Sequence, residues 1–162
     1  MPEPMLNQFG KKITGLDDAS KKMSKSAGNP NNYIALLDSP EVIRNKIKIA
    51  VTDSGSEIKY DEKKKPAMSN LLTIYSLFSE KPIDKIEEEY EGKGPVCAGG
   101  YAEFKKDLAE VVISGLEPLQ KKYKELEKNP DSVMKILKDG ASKAKEIASI
   151  TMEAVKNKIG FV

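Results

Sequence analysis

The sequence predicts a mainly α-helical protein, an irregular N-terminal arm followed by a bundle of about five helices. Two observations lead there. From Ile43 to Ile159 the apolar residues recur at three-four spacing, broken by Pro, Gly and Asn. No stretch sustains the apolar-polar alternation of a strand, and no segment repeats. The arm is expected over residues 1–37 and the helical domain over residues 38–162.

Taken in order, Pro2 and Pro4 deny an early helix, and Lys11 to Leu16 offers a short extended stretch. A lysine-serine loop follows, "SKKMSKSAGN", and Asn29-Pro30-Asn31-Asn32 reads as a turn. Ser39 and Pro40 fit the cap and first position of a helix whose buried face is Ile43, Ile47 and Ala50. Thr52 to Pro66 breaks the pattern. Leu71, Leu72, Ile74, Tyr75 and Phe78 resume it as a wide stripe. A short helix carries Ile83, Ile86 and Tyr90 and stops at Gly92. A long helix runs from Tyr101 to about Glu127, with a kink expected at Pro118. Asn129 to Ser132 starts the next, which reaches Gly140. A last helix over Ser142 to Lys158 is expected to bury Ala144, Ile147, Ala148, Met152, Val155 and Ile159.

Composition excludes much. There is no histidine, so no Ser/His or Cys/His catalysis and no histidine-bearing metal site. Cys97 is the one cysteine; it cannot form an internal disulfide, which suits a reducing, cytoplasmic compartment. No carboxylate cluster has metal-ligand spacing, so no metal site is expected. No apolar run approaches the ~20 residues of a membrane span, and Met1 to Gly10 lacks the pattern of a signal peptide. Net charge is only +2, so any contact with a polyanion must be local, on chosen lysines.

The loop invites one chemistry. Lys21, Lys22 and Lys25, beside Ser20, Ser24 and Ser26, can clamp phosphate, since ammonium groups follow a polyphosphate as it changes shape. Gly28 lets backbone approach an anion. An ordinary solvated turn has the same composition. Without an anion, such an arm is expected to be mobile or to borrow a neighbour.

The string Lys22-Met23-Ser24-Lys25-Ser26 and the segments "FGKKITGLDDASKKMSKS", "DSPEVIRNKIKIAVTDS", "IKYDEKKKPAMSNLLTIYS" and "YEGKG…YAEFKKDLAEVV" extend the reading over nearly the whole chain. Together they resemble the C-terminal half of the bacterial-type tryptophanyl-tRNA synthetases, class I aminoacyl-tRNA synthetases. The resemblance implies ATP as co-substrate, with Mg2+ carried on its phosphates, and tRNA(Trp) as partner. It implies that Lys22 and Lys25 stabilise the leaving pyrophosphate, with Met23, Ser24 and Ser26 supporting the loop. Ile13 falls where that family contacts the adenine of ATP. The nucleotide-binding Rossmann half, with its first signature, does not occur in this sequence, so activity from this chain alone is not expected. Ala27 stands where many relatives carry an aspartate, which leaves the loop's anchoring in question. Pro95 to Gly100 looks inserted, and Cys97 within it is read as a bystander. The helical half is implied to hold the tRNA anticodon, with Lys121, Lys122, Lys124, Lys128, Lys143 and Lys145 as backbone contacts, although such lysines are also ordinary solvated faces. Tyr75, Tyr101, Phe104 and Tyr123 are read as core. The alternative function is a non-catalytic helical module that binds tRNA or a protein.

Overall fold

In the computed structural model the described residues are 9–55, 57–91 and 100–161. The Pro95–Gly100 insertion, Cys97 and the Gly92 stop therefore lie outside them, Gly100 excepted. Among the described residues five α-helices follow in order: α1 Pro40–Ile49, α2 Pro66–Ser79, α3 Ile83–Tyr90, α4 Gly100–Glu127 and α5 Pro130–Ile159. A 3-10 turn, Pro30–Asn32, precedes them. Among the described residues there is no strand, only isolated bridges between Thr14 and Lys22 and between Asp61 and Lys65. The mainly helical architecture read from the sequence is what the chain adopts.

The chain divides into two compact units, Met1–Pro118 and Leu119–Val162. The first holds the core. α1 begins where Ser39 Oγ accepts from the Val42 amide and Pro40 takes the first turn, where its missing N–H costs nothing. Its apolar face, Ile43 and Ile47, is buried together with Ala50. α2 is buried on almost every side, so its stripe is wider than one face. Phe104 of α4 is fully buried between two aromatic rings. It stacks on Tyr75 at 5.8 Å and meets Tyr90 edge-on at 5.3 Å. Each such pair adds about 0.5–1.5 kcal/mol beyond the burial itself. The Tyr90 hydroxyl donates to Asp107 at 2.7 Å, and burial pushes its pKa up. Gly115 sits where a Cβ would come within 2.4 Å of the Phe78 ring, so α2 and α4 approach there only because that side chain is absent.

Three expectations change. The break at Gly140 does not occur: α5 is one helix from Pro130 to Ile159. An isolated glycine costs a helix only about 1 kcal/mol relative to alanine, too little to end a run this long with good formers on both sides. In addition, Ala144, Ile147, Ala148, Met152, Val155 and Ile159 are exposed rather than buried, and α5 contributes no buried residue. Periodicity reports that a face is apolar, not what lies against it. Tyr123 is likewise exposed, whereas Tyr75, Tyr101 and Phe104 are core as read.

From Phe9 onward the arm is tied to the helices by backbone hydrogen bonds. Leu16 is only 2% exposed and its amide donates to the Asn32 carbonyl, while the Leu16 carbonyl accepts from Val51 at the exit of α1. Lys46 of α1 is buried nearby. Its ammonium donates to Asp38 at 2.7 Å and to the Tyr33 carbonyl at 2.9 Å, and lies 4.8 Å from the centre of the Tyr33 ring.

Two substitutions check this description. Gly140→Ala has open space around it and should raise helix stability by about 0.5–1 kcal/mol. A fall in thermal midpoint, followed by circular dichroism, would contradict a continuous α5. Phe104→Ala should cost about 3–5 kcal/mol in urea denaturation, because it empties the centre of the aromatic cluster.

Candidate phosphate-binding loop and its relatives

The loop is built on a short antiparallel contact. Met23 donates its amide to the Ile13 carbonyl at 3.0 Å, and Gly15 donates to the Lys21 carbonyl at 2.9 Å. Asn70 of α2 holds the first side of this contact from below. Its amide oxygen accepts from Thr14 N at 2.8 Å and its nitrogen donates to Thr14 O at 3.0 Å. The side chains of Ile13 and Met23 pack against the core. That apolar footing explains why a methionine sits in so polar a string.

Asn32, 4% exposed, ties the loop together. Its side-chain oxygen accepts from Ser24 N at 3.0 Å and its nitrogen donates to Asp17. Asn29 donates to the other oxygen of Asp17 at 2.6 Å. The hydrogen bond from Asn32, joined by that from Asn29, holds the Asp17 carboxyl below its ordinary range. Gly15 must be glycine here, since a Cβ would fall 2.0 Å from the Asn32 amide nitrogen. Ser24 and Ser26 exchange a hydroxyl contact at 2.9 Å, and Ser24 Oγ also accepts from the Ser26 amide. Asp17 thus supplies the loop with a carboxylate from the segment that precedes it.

The three lysines are not equivalent. Lys21 pairs with Asp18 at 3.0 Å. Asp18 also accepts from the Ser20 hydroxyl and amide, and these bonds, the Ser20 hydroxyl foremost, hold its carboxyl at about 2. Lys22 and Lys25 are exposed and make neither a hydrogen bond nor an ion pair among the described residues. The arrangement is therefore a fixed backbone carrying two free ammonium groups. Such a device can meet an incoming polyanion without first breaking an internal pair.

Sequence reasoning named Lys22, Met23, Ser24, Lys25, Ser26 and Ile13, and the structure brings them into one loop. It missed Asp17, Asn32 and Asn70. From the sequence Asn32 is only part of a turn, and nothing local singles out Asn70. Paired asparagines beside a turn are a weak signal, because nothing local says that the side chain points inward. Lys121, Lys122, Lys124, Lys128, Lys143 and Lys145 are all exposed, and Lys122 pairs with Glu125 at 3.0 Å. Among the described residues no group of three or more acidic or cysteine side chains could hold a metal ion, and no helix is long and apolar enough to cross a membrane.

Comparison with known proteins places this geometry. The family model for class I tRNA synthetases (W and Y) matches residues 1–117, and the chain belongs to that family. Within it, the chain corresponds to a C-terminal part of the tryptophan-type enzyme. It is 46% identical over 162 residues to the tryptophan–tRNA ligase of Caldanaerobacter subterraneus subsp. tengcongensis, covering 100% of this chain and 47% of that protein. With the tryptophan–tRNA ligase of Bacillus subtilis (strain 168) it shares 44% over 161 residues, 99% of this chain and 47% of the other. Its fold matches the tryptophanyl-tRNA synthetase of Mycoplasma pneumoniae with a TM-score of 0.73 at 28% identity, over 96% of this chain and 45% of that one. It matches that of Campylobacter jejuni, solved with ADP and tryptophan, with a TM-score of 0.71 at 31% identity, over 95% and 45%. The chain spans about half the length of these relatives.

Two outcomes test the loop. Asn32→Ala should free Ser24 N and Asp17 together and speed proteolytic cleavage between residues 20 and 28, leaving the helical circular dichroism near that of the parent. For pH, Asp17 and Asp18 have depressed folded values. Their contribution is present above the unfolded carboxylate value of about 3.9 and is lost as pH falls through the folded one. The Ser20 amide resonance should hold from pH 7 to about 4 and titrate only on the way down to about 2.

Proposed function

We propose that this chain is the part of a tryptophan–tRNA ligase that meets the phosphates of ATP and holds tRNA(Trp). In that reaction the tryptophan carboxylate attacks the α-phosphorus of ATP. The bond to the β-phosphate breaks, and pyrophosphate leaves with the negative charge. The adenylate then passes tryptophan to the end of its tRNA. Lys22 and Lys25 meet the charge that develops on the leaving pyrophosphate, and Mg2+ travels on those phosphates. Ser24, Ser26 and the backbone around Met23 hold the loop's shape, and Ile13 places its backbone at the edge of the adenine site. A Rossmann half, outside this sequence, binds the adenosine and the tryptophan. The exposed lysines Lys121, Lys122, Lys124, Lys128, Lys143 and Lys145 contact tRNA phosphates. The cytoplasm is the matching compartment.

One observation carries the reading: the loop's backbone is held by Asn32 and Asn70 while the ammonium groups of Lys22 and Lys25 are left unpaired. Fixed donors aimed at developing charge stabilise a transition state by roughly 3–4 kcal/mol each. Positioning supplies more, roughly 7–11 kcal/mol in well-oriented systems, and in this enzyme it falls mainly to the Rossmann half. The chain alone is therefore without exchange activity.

The test is tryptophan-dependent ATP–pyrophosphate exchange. This chain alone should show none above background, and joining it to the Rossmann half of a tryptophan–tRNA ligase should restore it. In the joined protein Lys25→Ala should slow exchange by about two to three decades. Restored exchange that ignored loss of both Lys22 and Lys25 would remove the proposed role of the loop.

A further inference from the structure

Helices α1 and α4 of the first unit meet along a groove that the reaction above does not use. Arg44 and Lys48 of α1 and Lys105 and Lys106 of α4 line it, over a floor that includes Tyr101 and Ala109. Its volume is about 530 Å³, far more than one phosphate needs.

The four cations do different things. Lys105 donates to the carbonyls of Ala50 at 2.6 Å and Lys48 at 3.2 Å, closing the end of α1. It brings positive charge beneath the groove, and partial burial lowers its pKa. Arg44 makes a two-pronged pair with Glu110, at 2.7 and 3.1 Å. Lys48 and Lys106 are exposed, and their ammonium groups make no hydrogen bond or close ion pair among the described residues. Among the acids, Glu110 also feels Lys106, Glu41 lies near Arg44, and Asp53 and Glu57 lie near Tyr101 on the floor. On the rims themselves, Arg44 and Lys48 of α1 and Lys106 of α4 outnumber Glu41 and Glu110.

We propose that this groove is an RNA-backbone site, taking consecutive phosphates of the tRNA on Lys48 and Lys106 with the sugars against the aliphatic stems of the lining side chains. The proposal rests on the reading that this chain holds tRNA, and it assigns that contact to the first unit as well as the second. The floor favours RNA over an acidic peptide. A peptide lying there would need partners for its own amides and carbonyls, and the Tyr101 hydroxyl already donates to the Glu57 carbonyl. A sugar-phosphate chain needs cations at the rims and an apolar surface between them. Such contacts set the register of the RNA without reading its bases.

The experiment is a fluorescence-anisotropy titration of labelled tRNA(Trp) transcript with the full chain, repeated across a range of KCl. The double variant Lys48→Ala/Lys106→Ala should weaken binding roughly tenfold or more near 0.1 M salt and flatten the salt slope by about two. Glu110→Gln, which removes the groove's own carboxylate, should tighten binding. Circular dichroism should be the same for all three proteins. A double variant that kept the parent's affinity and slope would overturn the groove while leaving tRNA binding by the chain intact. A parent chain without salt-sensitive tRNA binding would overturn both. Displacement by polyglutamate as effective as by polyuridylate would overturn the assignment to RNA.

Discussion

The geometry of the loop depends on one buried side-chain amide, that of Asn32. A primary amide can accept and donate at the same time. Here it takes the Ser24 amide with its oxygen and gives its nitrogen to Asp17. Two segments of opposite direction are thereby fixed at one point, without any lysine being used. A buried amide is a demanding anchor, because leaving either end unpaired costs about 1–3 kcal/mol. The same demand makes the loop's shape specific, and it excludes a side chain at residue 15.

That anchor rests in turn on the helical core. The backbone of Asn32 accepts from Leu16, and Leu16 accepts from Val51 just past α1. Thr14 is held by Asn70 from α2. The loop is therefore continuous with the packing of Ile43, Ile47 and Leu71, all nearly inaccessible to water. Lys46 strengthens the same corner, since its paired ammonium fixes Asp38 and the Tyr33 carbonyl together. Breaking such a buried pair would leave an uncompensated charge. Chemistry that needs free cations is placed on a base that tolerates little movement.

Charge is divided by task across the first unit. Lys21, Lys46, Lys105 and Arg44 are held by carboxylates or carbonyls and serve the fold. Lys22, Lys25, Lys48 and Lys106 stand free of such partners among the described residues, on the loop and on the α1–α4 groove. Composition counts these eight alike. In water a surface ion pair stabilises little, so the separation matters more for what an anion meets than for stability.

The sequence by itself determined the helical class, the cap at Ser39, the helix start in Asn129 to Ser132, the aromatic core at Tyr75 and Phe104, and the lysine-serine string. These are local or periodic properties, carried by neighbouring residues whatever surrounds them. It misjudged Gly140, where a small local penalty lost to helix continuity, and the inward face of α5, where periodicity could not name a partner. Only the tertiary structure decided that Asn32 and Asn70 anchor the loop, that Asp17 supplies a carboxylate to it, and which lysines are spent. The side-chain contacts of Asn32 and Asn70 join residues from 8 to 56 positions apart. A polar side chain's direction is set by what packs around it, and no spacing rule encodes that.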